Sequence, residues 1–327
     1  MIVRIFRSTQ FYPIALIVLF SIVIHFVCAI LSPAKIASGG TILFDNMTVW
    51  MHHVPSWLVS FIVFLLITGQ ALHLNYILNR HEVFFKQSWL PAFLYLIIAT
   101  QFKDFVEFSP LLVVNTLFIL FLDKIFALYK NQKTIGITFD AALLISIIAL
   151  IYAPALLFLL LFFISVAILK PITWRDLSIG IVGMLVPFSL VIVGYFMSGN
   201  LLLFLNQYKS TFSNGFIVSN FKLNNYLISI SIILFVLLLA VMKLRRNYLK
   251  NVTKSRLCQQ IILLFILLGT FTIPLISKVA FQDYFIFIIP VSSVIAYYFL
   301  DGKKIIYQEL LMWLLISNWI YTHLFIS

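Results

Sequence analysis

Residues 139–188 read FDAALLISIIALIYAPALLFLLLFFISVAILKPITWRDLSIGIVGMLVPF. The stretch is apolar almost throughout, interrupted by Pro154, by a short polar patch from Lys170 to Asp176 and by Pro187. A run of about 20 apolar residues is the length of a helix that crosses a bilayer. Comparable runs recur along the whole chain without the alternation that a membrane barrel strand needs, so the class is helical. Of the 327 residues, 63% are hydrophobic and 10% charged, against about 25% charged in an ordinary soluble domain. The sequence predicts an all-α polytopic membrane helix bundle, with residues 1–327 forming a single integral membrane domain.

Taken in order, the expected crossings are 11–31, 57–79, 89–102 and 110–129, two legs within 139–169, then 177–197, 226–242, 257–277, 284–300 and 305–325. The first run exceeds a signal-peptide core of about 7–15 residues and reads as an uncleaved anchor. Ser109 before Pro110 reads as a helix cap followed by proline at the first helical position. Asp140 and Asp176 are each expected to open a helix, where a carboxylate complements the N-terminal dipole. Pro187, Pro274 and Pro290 are expected to kink three late spans.

Charge decides how 139–169 is threaded. If it is a hairpin turning at Pro154, alternate loops place 17 Lys and Arg on one side and 5 on the other. If it is one long kinked helix, every later loop changes sides and the division becomes 10 against 12. The positive-inside rule selects the hairpin, giving about eleven crossings, a cytoplasmic N-terminus and an outer C-terminus in a bacterial inner membrane. Each leg has only about 15 residues, or about 23 Å, less than the ~30 Å hydrocarbon core. The legs are therefore expected beneath a thinned membrane or a water-filled cavity.

The formal net charge is +12. The basic residues lie in short loops between apolar runs, which marks them as topology and lipid-headgroup determinants and not as a nucleic-acid surface. The most basic segment, KLRRNYLKNVTKSR at 243–256, is read as a membrane-surface patch. Cys28 and Cys258 have neither a CxxC nor a metal-type spacing, so no disulfide, metal or cofactor is expected.

The segments LNYILNRHEVFFKQSWLPAFLYLI, FSPLLVVNTLFILFLDKIFALYKNQKT, FDAALLISIIALIYAPALLFLLLFFISVAIL and WRDLSIGIVGMLVPF resemble, in order and spacing, an uncharacterised family of multi-pass inner-membrane proteins from Bacteroidetes-type bacteria. The resemblance covers roughly residues 70–190 and implies neither an activity nor site residues. Some members are labelled carotenoid-cleaving monooxygenases, enzymes that resemble propellers with four His on one iron. The six His of this chain are His25, His52, His53, His73, His81 and His323. They fall on both expected faces and within spans, which excludes such a centre.

The expected outer face carries few charges, among them Asp45, Lys103, Glu107, Lys278 and Asp283. Asp45 precedes TVWMHHVP, a segment suited to the interface with Trp50 and Trp57 as anchors. This layout looks like that of polytopic glycosyltransferases that use polyprenyl-phosphate sugar donors. That chemistry needs a base to deprotonate the acceptor and a cation to hold the leaving phosphate. Asp45 is the candidate general base, and Lys103, Lys278, Glu107 and Asp283 are candidate substrate-binding residues. The expected partners are membrane lipids, a polyprenyl phosphate among them, and a membrane protein. Two other classes fit the composition. One is a non-catalytic anchor or assembly component. The other is a lipid or small-molecule transporter, for which His25, Gln70, His73 and Asn75 are the polar residues within spans.

Overall fold

The computed structural model describes residues 2–8, 10, 12–31, 51, 53–131, 134–213, 217–218, 223–276, 278–301 and 305–325. In chain order these include α1 (Ile2–Phe6), α2 (Tyr12–Leu31), α3 (Ser56–Arg80), α4 (Leu90–Ala99), α5 (Pro110–Phe126), α6 (Thr134–Ile151) and α7 (Phe158–Leu169). They continue with α8 (Trp174–Met197), α9 (Leu201–Ser213), α10 (Leu223–Arg246), α11 (Thr253–Thr272), α12 (Ile288–Asp301) and α13 (Ile305–Phe325). Tight 3-10 turns include Lys103–Val106, Ala153–Leu157 and Phe281–Phe287. Among the described residues the only extended pairing is parallel and two residues long, with Ile217 opposite Lys278 and Val218 opposite Val279.

Among the described residues six segments are long and apolar enough to cross a membrane: Ser56–Arg80, Thr134–Ile151, Trp174–Met197, Tyr226–Arg246, Thr253–Leu275 and Phe281–Asp301. Shorter apolar helices cover Tyr12–Val27, Leu90–Ala99 and Ala153–Leu169. Large apolar side chains stay exposed on the outer helices, such as Phe26 on α2, Leu190 and Phe196 on α8, Leu238 on α10 and Trp313 on α13. Continuous apolar surface of this kind is what a lipid environment covers.

The core is built around two helices that protein encloses. All ten residues of α4 are buried, and α12 is buried along nearly its whole length. The two pack on each other, with α3, α10 and α11 around them. Ten helical residues extend about 15 Å, half of the ~30 Å core. The crossing expected over 89–102 is thus only partly helical: the helix stops at Ala99 and residues 100–102 continue in irregular backbone. Helix α13 satisfies that backbone. The Thr100 carbonyl accepts from Trp319 Nε1 at 3.0 Å and lies 2.8 Å from His323 Nε2. The Gln101 carbonyl accepts from the Thr322 hydroxyl at 2.8 Å. Irregular backbone at membrane depth persists only with such partners.

Several local expectations meet their residues. Ser109 Oγ accepts from the Leu112 amide at 3.3 Å and caps α5. Thr173 and Asp176 form a reciprocal capping box at the start of α8. Asp140 departs from its expected role. Helix α6 begins at Thr134, so Asp140 lies within it and pairs with Lys124 Nζ at 2.7 Å. Of the late prolines, Pro187 lies inside α8, whereas Pro274 sits in the 3-10 turn after α11 and Pro290 in the first turn of α12. At the end of α8, Gly199 takes φ 70°, and the Asn200 amide reaches the Tyr195 carbonyl at 3.0 Å. This left-handed cap turns the chain into α9. There the Tyr208 hydroxyl donates to the Ala149 carbonyl at 2.9 Å, and burial pushes its phenol upward, which keeps it a donor.

Helix α6 ends at Ile151, and the Ala153–Leu157 turn carries Pro154, whose ring cannot continue an α-helix without loss of a hydrogen bond. Beyond α7, Lys170 Nζ lies 3.5 Å from Thr138 Oγ1 and 2.7 Å from Asp176 Oδ1. The end of α7 therefore sits beside the start of α6 and the start of α8. Helices α6 and α8 pack closely, with Ser146 Oγ donating to the Met184 carbonyl at 2.7 Å. A Cβ added at Gly183 would fall 2.9 Å from Ala142 Cβ and 3.0 Å from the Phe139 carbonyl, whereas at Gly194 it would meet nothing within 4 Å. Gly183→Leu is therefore expected to cost about 1–3 kcal/mol through overpacking. Gly194→Leu on the same helix should leave the thermal transition in detergent near that of the parent. Equal effects of the two substitutions would contradict the close packing of α6 on α8.

Candidate functional site

Two 3-10 turns, Lys103–Val106 and Phe281–Phe287, pack against each other at one end of the bundle. Aromatic side chains hold them together. The Phe281 ring stands 4.8 Å from Phe102, 5.3 Å from Phe105 and 4.8 Å from Tyr226 of α10. Such pairs add about 0.5–1.5 kcal/mol each beyond their area burial, so the two turns form one aromatic-seated unit.

Their polar groups meet at the same place. Gln282 Nε2 donates to Glu107 Oε2 at 2.5 Å. The Tyr226 hydroxyl lies against the Asp104 carboxylate. Asp283 is buried. It accepts from the Ala280 amide at 2.7 Å and from the Tyr152 hydroxyl at 2.9 Å. Tyr152 precedes the Pro154 turn, so Asp283 fastens that turn to the start of α12. Lys103, Asp104 and Glu107 are half-buried.

The expected site residues divide accordingly. Glu107 and Asp283 lie on neighbouring turns with separate partners, Glu107 on Gln282 and Asp283 on Tyr152 and the Ala280 amide, and Lys103 opens the first of these turns. The backbone of Lys278 pairs with Ile217 three residues before the second turn begins, while its side chain lies outside the described residues, as do residues 32–50, Asp45 among them, and His52. Among the described residues, no three His, Cys, Asp or Glu side chains are grouped to hold a metal. Tyr152, Tyr226 and Gln282 were not candidates in the sequence. Tyr152 is a lone phenol in an apolar run, and the only available signal was its position two residues before a proline.

No family model, curated protein or solved structure matches the chain. What this end does chemically is read from its own side chains.

Two of the polar residues within spans bond to other groups of the protein. The Gln70 amide donates to the Leu112 carbonyl at 2.6 Å and to the Thr116 hydroxyl at 2.7 Å, and its oxygen accepts from Tyr95 at 2.7 Å. These bonds join α3, α4 and α5. His25 Nδ1 lies 2.9 Å from the Ser21 carbonyl of its own helix. His73 is half-buried. The Asn75 amide and His25 Nε2 are buried and have no hydrogen-bond partner among the described residues.

Proposed function

We propose that this chain is a multi-pass bacterial inner-membrane protein with a cytoplasmic N-terminus and an outer C-terminus. It belongs, on this reading, with the uncharacterised Bacteroidetes-type family that residues 70–190 resemble. It is a glycosyltransferase-like membrane enzyme that handles a polyprenyl- or lipid-linked sugar at the outer face. The observation that carries the reading is the pairing of the Lys103–Val106 and Phe281–Phe287 turns, which brings a cation, a half-buried carboxylate and a buried carboxylate to one end of an apolar bundle.

The topology has support of its own. One set of contacts links the ends of α3, α5, α7, α10 and α12 with the starts of α6, α8 and α11. It includes His81 with Asp123 at 2.7 Å, Lys124 with Asp140 and Lys170 with Asp176, each at 2.7 Å. It also includes the Ser255 hydroxyl on the Val83 carbonyl at 2.6 Å and Lys243 with Asp301 at 3.8 Å. These are the loops that the charge count assigns to the cytoplasm. The proximity of Lys170 to Thr138 fits a hairpin at Pro154, since α7 then returns to the end from which α6 departs.

In the reaction, Asp45 removes the proton from an acceptor hydroxyl. The acceptor oxygen forms the new bond to the anomeric carbon as the bond from that carbon to the phosphate oxygen breaks. The polyprenyl phosphate leaves with the electron pair, its charge held by Lys103 and Lys278. Glu107 binds sugar hydroxyls, and Asp283 positions the second turn. The test is transfer from a polyprenyl-phosphate sugar by membranes carrying the protein or its Asp45→Asn variant.

One observation favours a non-catalytic anchor or assembly component instead: both Asp283 oxygens and one Glu107 oxygen already have protein partners. Loss of transfer in Asp45→Asn separates the two readings. The hydrogen bonds that fix Gln70 between three helices weigh against a transport path.

A further inference from the structure

Helices α10 and α13 run side by side and leave a cleft of about 740 Å³ where α10 ends. The cleft has two unlike halves. Its apolar half is lined by Phe235, Leu239, Leu310 and Leu311, with Phe235 and Leu310 exposed. Its mouth carries Lys243, Arg246 and Lys250 against one carboxylate, Asp301. A second cleft of about 540 Å³, lined mainly by leucine and valine, adjoins at Phe235 and continues along α10 to Ser231.

The carboxylate is already engaged. Lys243 Nζ stands 3.8 Å from Asp301, and Asn247 Nδ2 donates to the same carboxylate. Lys243 also donates to the Tyr298 carbonyl at 3.0 Å. The positive charge turned outward at the mouth is therefore that of Arg246 and Lys250, both exposed. The apolar half begins at Phe235, eleven residues before Arg246. That is about 16 Å of helix, close to half of a ~30 Å hydrocarbon core, so the cleft has the depth of one leaflet. A phosphate at the mouth would meet an Arg fork and a Lys point charge, and the chain below it would lie on an apolar wall.

We propose that this cleft binds one anionic phospholipid of the bilayer, with its phosphate on Arg246 and Lys250 and an acyl chain along Phe235, Leu239 and Leu310. Charge alone would attract anionic headgroups diffusely, and the groove alone would take any lipid. Their continuity selects a single anionic one. The site lies at the opposite end of the bundle from the two paired turns and does not depend on the enzyme reading.

The test uses the full chain purified in mild detergent, incubated with vesicles of phosphatidylglycerol or of phosphatidylcholine, with retained lipid counted by native mass spectrometry. One phosphatidylglycerol is expected to stay bound, with phosphatidylcholine lost. Arg246→Gln combined with Lys250→Gln should lower retention about tenfold or more. Leu310→Trp, which fills the groove and leaves the charges, should do the same. Arg245→Gln, which neutralises an exposed cation that does not line the cleft, should not change it. Four results would overturn the site: equal retention of the two lipids, unchanged retention in Leu310→Trp, an equal loss in Arg245→Gln, or displacement of the lipid by millimolar inorganic phosphate.

Discussion

Asp45→Asn is expected to lower transfer from a polyprenyl-phosphate sugar by about 10²–10⁴-fold, a barrier increase of about 3–5 kcal/mol, with expression and folding unchanged. The amide is nearly isosteric with the carboxylate but takes no proton, so it removes base catalysis and little else. The assay is release of polyprenyl phosphate by membranes containing each protein, at matched protein levels. Glu107→Gln serves as the comparison. It keeps a polar partner beside Gln282, whose side chain lies 2.5 Å away. Its effect should fall mainly on KM, because a substrate-binding residue contributes to ground and transition states alike. Full activity in Asp45→Asn would transfer the weight to the anchor reading.

Lys170→Met should be the most destabilising single substitution at the opposite end. Lys170 and Asp176 retain only 12% and 8% of their side-chain exposure and stand 2.7 Å apart. Removing the cation leaves the Asp176 carboxylate with only its Thr173 partners, which costs about 1–3 kcal/mol, whereas replacing both partners with apolar residues is often close to neutral. Asp176 also accepts from the Thr173 hydroxyl at 2.8 Å and caps α8, so the double variant Lys170→Met with Asp176→Leu should recover part of the loss, not all of it. Thermal unfolding in detergent of the parent, both single variants and the double variant reads the coupling directly. Additive single effects would show that the pair does not tie α7 to α8.

The helices were legible because the signal is one of length and hydropathy. The span expected over 57–79 lies within Ser56–Arg80, and the cap at Ser109 and the carboxylate of Asp176 in the first turn of α8 carry their residue types openly. A short span was expected where α4 lies, but its enclosure by protein was not legible. Its ten buried residues look like lipid-facing apolar sequence, and hydropathy does not distinguish burial in protein from burial in lipid. The same limit hid the role of α13, whose Trp319, Thr322 and His323 serve the Thr100 and Gln101 carbonyls from more than two hundred residues away. At the candidate site, Glu107 and Asp283 stood out as charges in an apolar chain. Their neighbours Tyr152 and Tyr226 did not, since a tyrosine near a membrane boundary reads first as an interface anchor. Asp140 misled because a polar residue before an apolar run looks like a helix start, yet its helix begins six residues earlier.

Every face of the membrane assigned after residue 169 rests on the turn at Pro154, and reporter fusions at two positions test it. A reporter joined after Asn214 should be active outside the cytoplasmic membrane, and one joined after Arg256 should be active in the cytoplasm. That pair of results follows if residues 139–169 leave the cytoplasmic end and return to it. A cytoplasmic signal after Asn214 with an outer signal after Arg256 would mean that the stretch crosses once. It would also place Asp283 on the cytoplasmic side and contradict the account.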